Sequence, residues 1–366
     1  MNKIGIYVHI PFCESKCIYC DFASSVCNLE IKRKYFECLI SEIKNCRYKR
    51  VVSTIYFGGG TPSSVDAKDI KKVLETIYEN FDIDKNAEIT IECNPNSATF
   101  DKLEEYRKMG FNRISFGVQS LHDNTLKLIG RRHNSKQVFD AIDGARCAEF
   151  ENISADLMIG LPGQSEEDLI SDAEKLINLN IKHISAYMLQ VEENTPLFRK
   201  VEKGEITIPE EDECVKMYEA LVKFLAKNGL NRYEISNFSK EGWNSQHNMN
   251  YWKMGEYLGF GLAAHSFINS TRIANTCNMS DYLNRKGIVK EKIDNRECVV
   301  ELIMLGLRCT AGVDTEKLIN LGYDIKNSAY YEKFINKGII KQEKNMIYLN
   351  PKYYGVSNSI ICDLIP

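Results

Sequence analysis

Residues 4–22 read IGIYVHIPFCESKCIYCDF, an apolar run that stops at Pro11 and opens into a loop carrying Cys13, Cys17 and Cys20. Ile, Tyr and Val suit a pleated, half-buried surface, so the run predicts a strand over Gly5–His9. The same rhythm recurs down the chain. Short apolar runs predict further strands at Thr54–Phe57, Glu88–Glu92, Arg113–Val118, Ser154–Ile159 and His183–Met188. Between them, helices are predicted near Leu29–Cys46, Ala67–Phe81, Phe100–Met109, Ser135–Ala148 and Glu166–Leu179. Ile70, Val73, Leu74 and Ile77 make the i, i+3, i+4, i+7 stripe of an amphipathic helix. Strands alternating with helices predict an α/β fold with a parallel sheet and right-handed crossovers.

The polar residues choose the shape of that sheet. The cysteine loop follows the first strand and GGGTP (Gly58–Pro62) follows the second. Glu92-Cys93-Asn94-Pro95 ends the third, and Gln119 ends the fourth. A flat doubly wound sheet also binds ligands at strand ends. A curved, incomplete TIM-like barrel gathers all these ends around one cavity, and is the expectation here. The rhythm changes after Asn194. Pro209–Asn228 predicts one long helix and Arg232–Phe238 a strand. Arg296–Arg308 and Ser328–Lys337 predict helices, and Gly338–Asn350 a hairpin turning at Glu343-Lys344-Asn345. The expected division is a partial barrel over 1–194, an extension over 195–290, and a small α+β winged-helix-like module over 291–366.

At 366 residues, with 44% hydrophobic and 27% charged residues, the composition is that of an ordinary globular protein. A formal charge of −3 gives no electrostatic case for nucleic acid or an anionic membrane. No apolar run approaches the roughly 20 residues of a membrane span. The N-terminal apolar run is short and broken by His9 and Pro11, unlike a signal peptide. Of the 13 cysteines, the ten beyond the first cluster are scattered, which predicts reduced thiols and a cytoplasmic protein.

Three thiols at CxxxCxxC spacing admit a zinc site, a redox pair or an iron–sulfur ligand set. Zinc asks for four closed ligands, and only His9, inside the strand, stands near. A Cys17–Cys20 redox pair is expected to open a helix. Three cysteines hold three irons of a 4Fe–4S cubane and leave the fourth open, and this assignment is favoured.

Inside YVHIPFCxxxCxYCDF, the motif resembles that of the radical S-adenosylmethionine superfamily. YFGGGTPS, IECNP, RISFGVQS, GRRH, ADLMIGLPGQ and SAYMLQVEENT, in that order, resemble the oxygen-independent coproporphyrinogen III oxidase-like family over essentially the whole chain. The resemblance implies a partial (β/α)6 barrel with Cys13, Cys17 and Cys20 on a 4Fe–4S cluster whose open iron takes S-adenosylmethionine. It further implies that Tyr7 and Tyr19 flank cluster and adenine, and that Gly59, Gly60 and Thr61 meet the methionine moiety. Glu92, Gln119, Arg131 and Asp156 would contact its amino, ribose and carboxylate groups. Each has a plainer reading: an ordinary turn, an internal cap or pair, a surface charge.

Within the family, the decarboxylases of porphyrin biosynthesis carry a further cysteine two places after the third, and an arm ahead of the cluster. Here Phe22 stands at that place and Met1 lies close before Cys13. Cys20-Asp21-Phe22 and HNMNYW (His247–Trp252) resemble the haem-chaperone branch, the HemW proteins. That branch implies haem as ligand, His247 or His265 as its candidate axial residue, and delivery to an unidentified haemoprotein. A loop anchor and a packed histidine are the plainer readings of those two. His122, His133, His183 and Cys309 receive no role. Leu262 and Ala263 replace the small residues and proline usual in that loop, which changes its expected shape. The expected partners exclude nucleic acid and admit at most peripheral contact with membrane proteins, with the chain a monomer or dimer. The rival expectations are coproporphyrinogen decarboxylation and a cluster serving electron transfer alone.

Overall fold

The computed structural model describes residues 3–48 and 50–366. Six parallel strands lie side by side in chain order: β1 (Ile4–Ile10), β2 (Val51–Gly59), β3 (Asp82–Cys93), β4 (Arg113–Gln119), β5 (Asn152–Ile159) and β6 (His183–Met188). Between them run α1 (Leu29–Lys44), α2 (Ala67–Asn80), α3 (Phe100–Met109), α4 (Asp123–Leu128), α5 (Ser135–Cys147) and α6 (Glu166–Asn178). The expected alternation is present. Local chemistry sets the helix starts: Asn134 and Ser165 each close a capping box, and Asp66 caps α2. Such caps are worth about 1 kcal/mol each.

Within each strand, alternate residues divide between two surroundings. Ile6, Val8, Ile55, Phe57, Ile89, Ile91, Ile114, Phe116, Ala155, Leu157 and Ile184 join one apolar core with the helices. The residues between them, such as Tyr56, Glu92, Ser115, Asp156 and Ser185, are polar and face the inner side. Register aligns them across the sheet, Tyr7 opposite Tyr56, Glu92 opposite Ser115, and Asp156 opposite Ser185. The sheet curls until the carboxyl ends of β2–β6 surround a single cavity. A flat sheet does not do this.

Beyond β6 come α7 (Pro196–Glu202) and α8 (Glu211–Lys227), then two short antiparallel strands, β7 (Asn231–Glu234) and β8 (Asn237–Ser239). The single strand expected over Arg232–Phe238 is therefore a hairpin. Its turn is tightened by Glu234, whose carboxylate accepts from the Ser236 N–H at 3.0 Å. β8 pairs antiparallel with β6 and closes that edge.

At the other edge the sheet continues further than the sequence suggested. After α9 (Gln246–Trp252), β9 (Tyr257–Phe260) pairs parallel with β1. β10 (His265–Ile268), β11 (Thr271–Ala274) and, after α10 (Met279–Leu283), β12 (Val289–Lys292) add antiparallel strands. The result is a 12-stranded sheet among the described residues. Gly259 makes the sharp return from β9 to β10 possible, since a Cβ there would lie 2.0 Å from the His265 carbonyl oxygen.

The C-terminal part has its own core, including Val299, Ile303, Leu318, Phe334, Ile347 and Leu364. It comprises α11 (Asn295–Gly306), β13 (Val313–Asp314), α12 (Thr315–Asn320), α13 (Tyr331–Asn336), β14 (Ile340–Glu343), β15 (Met346–Leu349) and α14 (Ser357–Leu364). The expected hairpin is β14–β15, joined by β13 into a three-stranded antiparallel sheet. No helix among the described residues is long and apolar enough to cross a membrane.

Candidate functional site

The cysteine loop is tied down at several points before any ligand is considered. The Cys13 N–H donates to Ser25 O at 3.1 Å and the Ser25 N–H to Pro11 O at 2.8 Å, closing the loop on itself. Its middle is held from outside: the Ile18 N–H donates to Ile129 O, and the Leu197 N–H donates to Ile18 O. The Gly58–Thr61 turn supports it from below, through Gly60 N–H to Ile10 O and Thr61 N–H to Phe12 O at 2.9 and 2.8 Å. The glycines are needed here for protein packing. A Cβ on Gly60 would come within 2.8 Å of the Phe12 carbonyl, and one on Gly59, at φ +115, within 2.5 Å of the His9 ring.

None of the thirteen cysteines is in a disulfide. Among the described residues no three His, Cys, Asp or Glu side chains stand close enough to clamp one metal ion. A cubane does not require that, because each thiolate binds a different iron and the ligand sulfurs stand apart. The donor chemistry fits such a cluster: Arg131 Nη1 lies 3.7 Å from Cys17 Sγ, close enough to donate to the sulfur. That guanidinium is fixed by Asn94 Oδ1 at 2.8 Å and by the Gly117 carbonyl. Cys13 Sγ contacts Thr61 Oγ1 at 3.5 Å, and burial pushes the Cys20 thiol up.

Behind the loop lies a cavity of about 430 Å³, within the usual size for a small-molecule site. The three cysteines, Tyr19, Gly59, Gly60, Thr61, Glu92, Gln119, Arg131 and Asp156 all line it. Glu92 accepts from the Tyr56 hydroxyl at 2.8 Å and the Gly59 N–H at 3.1 Å. Burial nevertheless raises its pKa to about 7. Asp156 accepts from Ser115 Oγ at 3.2 Å, and burial raises its pKa too. Gln119 has φ 67, and β4 slips register against β5 just before it, which re-aims its side chain into the cavity.

Three expected residues lie elsewhere. The Tyr7 hydroxyl bonds His9 Nδ1 at 2.9 Å, and its ring stacks against Tyr56. His247 is wholly buried inside the barrel. Nδ1 shares a 2.8 Å hydrogen bond with Thr54 Oγ1, Nε2 shares one of 2.8 Å with the Tyr251 hydroxyl, and the ring stacks 5.0 Å from Tyr56. Burial, aided by the positive Arg113, lowers its pKa to about 3 and keeps it neutral. His247 therefore anchors α9 as a plug beneath the cavity, with Glu88 accepting from the Gln246 and His247 N–H groups at 3.0 and 3.1 Å. His265 is exposed at the start of β10.

The lining also includes Tyr56, Arg113, Ser115, Ser185 and Tyr187, none of which was expected as a site residue, together with Asn94 of IECNP and Asn248 of HNMNYW. The signal was present as polar residues at every second position of otherwise apolar strands.

A model of the radical SAM superfamily matches residues 7–176. Curated relatives named heme chaperone HemW, from Lactococcus lactis and Bacillus subtilis, are each 35% identical over 361 and 367 residues. Those matches cover 97% of this chain and 95% and 97% of the relatives. The mouse protein named radical S-adenosyl methionine domain-containing protein 1, mitochondrial, is 30% identical over 388 residues, covering 100% of this chain and 88% of its own. Among solved structures, coproporphyrinogen III oxidase HemN from Escherichia coli superposes with a TM-score of 0.86 over 100% of this chain and 90% of its own, at 22% identity. That likeness shows a shared fold.

Proposed function

Because the chain belongs to the radical SAM superfamily and, within it, to the family of the heme chaperones HemW, we propose that it binds haem and delivers it to apoproteins. The observation that carries this is the likeness to proteins of that name along 97% of the chain, which includes the HNMNYW segment and the C-terminal part. The recipient is a haemoprotein, and the cytoplasm, where thiols stay reduced, is the compartment this reading implies.

The cavity is assigned to the family's cofactors. Cys13, Cys17 and Cys20 would hold a 4Fe–4S cluster, and S-adenosylmethionine would sit against its open iron. When bound, this pair supplies one-electron chemistry at the loop. The chain's own residues then do the holding. Arg131 donates towards the Cys17 sulfur and brings a positive charge to a ligand's carboxylate. Glu92, Gln119 and Asp156 offer acceptors to amino and hydroxyl groups, Thr61 a hydroxyl, and Tyr19 an aromatic wall. Tyr7 acts from behind, by holding His9 and backing Tyr56. Of the two histidines expected to ligate haem, His265 presents an open ring. His247 would have to break both ring hydrogen bonds to do so, which leaves His265 the better-placed axial donor.

The second reading, coproporphyrinogen III decarboxylation, is favoured by one feature: the cavity's polar shell is complete, which a simple carrier does not obviously need. Reduced, cluster-reconstituted protein incubated with S-adenosylmethionine and coproporphyrinogen III separates the two. The chaperone reading expects no protoporphyrinogen, and its formation over many turnovers would replace that reading with the enzyme.

A further inference from the structure

Arg113, the first residue of β4, is a buried cation whose side chain has acidic neighbours but no direct partner among the described residues. Its side chain is 2% exposed and lines the cavity, yet it closes no hydrogen bond or ion pair with any described residue, and its Nε has no partner. Glu88 and Asp156 balance its charge through space and hold its pKa up despite burial, but a buried N–H donor without a hydrogen-bond acceptor is still costly. The acidic groups around it are already satisfied by others. Glu88 accepts from two backbone N–H groups of α9, Glu92 from Tyr56 and Gly59, and Asp156 from Ser115. Arg113 thus stands ready with an unused donor fork.

It is also the second guanidinium of one cavity, and its setting differs from the first. Arg131 sits against Cys17 and Tyr19, at the cluster loop. The charged and ionisable neighbours of Arg113 include Glu88, Tyr56, Tyr233 and Asp156, with Glu92, His183 and His247 also within its field, at the end nearest the α9 plug. A forked donor facing a cavity selects a planar carboxylate in two parallel hydrogen bonds. With the cluster end assigned to the cofactor, the free fork belongs to a different ligand. On the haem-binding reading above, that ligand carries two propionate arms.

We propose that Arg113 is the receptor for a propionate carboxylate of the tetrapyrrole, and so fixes which edge of the macrocycle enters the cavity. Deletion of this contact removes recognition of the carboxylate but leaves the apolar contacts of the ring.

The test compares Soret titrations of haem and haem dimethyl ester, whose propionates cannot form the pair. The wild type is expected to bind the free acid about tenfold more tightly than the diester. Arg113→Gln should bind the diester like the wild type and lose that preference. Arg113→Lys keeps the charge without the fork, so it should keep only part of the preference, and it serves as the informative variant if Arg113→Gln does not fold by circular dichroism. Equal binding of acid and diester by the wild type, or an undiminished preference in the variants, overturns the Arg113 assignment while leaving haem binding intact. Absence of binding by either compound to the wild type overturns the haem reading, and this proposal with it.

Discussion

Glu92 shows what a single residue of this cavity contributes. Burial, with the Asp156 charge beside it, outweighs the Tyr56 hydroxyl, the Gly59 N–H and the Arg113 charge that stabilise its carboxylate, and its pKa rises to about 7. The folded chain then holds a proton that the unfolded chain releases near the ordinary carboxylate value. Its contribution to stability is fully present in acid and is lost as pH rises through about 7. Glu92→Gln should therefore melt higher than the wild type at pH 8, by roughly 1–2 kcal/mol in the cofactor-free protein, with the gap closing by pH 5. The same variant should bind S-adenosylmethionine more weakly, as read by equilibrium dialysis. A lower melting point at pH 8 would contradict the account of a carboxylate held against its charge for ligand binding. Glu92 was legible in IECNP because it ends a strand. Tyr56 and Arg113 were not, because each sits inside a strand where only the polar-apolar alternation marks it.

At the scale of elements, the clearest case is α9. Ser245 caps it by accepting from the Asn248 N–H, Glu88 closes its first turn, and His247 pins it to β2 through Thr54. This short helix fills the inner space below the cavity and brings Asn248 to the lining. His247→Ala removes two buried hydrogen bonds and a stacked ring, and should destabilise the haem-free protein by roughly 2–4 kcal/mol. Thermal melts without haem check this, and an unchanged melting point would return His247 to the role of a spare ligand. Strands β1–β6 and the helices between them were legible because apolar runs and helical stripes alternate over long stretches. The hairpin of β7 and β8, expected as one strand, and the strands from β9 to β12 were less so. They span three or four residues each, too few for a period to show, and pairing partners far along the chain decide them. HNMNYW could be recognised as a motif, but its burial depends on the shape of a barrel interior that local sequence does not encode.

The whole molecule places a cofactor-sized cavity under a pinned cysteine loop, within a sheet that extends to both sides. The C-terminal part docks beside it: the Ile235 N–H donates to Arg308 O at 3.1 Å, the Thr310 N–H to Tyr233 O at 3.0 Å, and Arg308 covers the Trp252 ring of α9. Since the cavity draws residues from β2 through β6, a ligand there should stabilise the barrel as a unit. S-adenosylmethionine at a hundredfold excess over its Kd should add about 2.7 kcal/mol to the reconstituted protein. Cys17→Ser, which removes one iron ligand, should abolish most of that gain in a melt followed by circular dichroism. The charge, the thiol pattern and the absence of a long apolar run were legible in the sequence. The unpaired Arg113 and the occupied His247 emerged only from packing. The central claim is that this chain carries haem, and an anaerobic titration of the cluster-reconstituted protein followed at the Soret band tests it most directly. The account predicts a shifted band that saturates at one haem per chain, and a featureless spectrum that merely sums protein and free haem would contradict it.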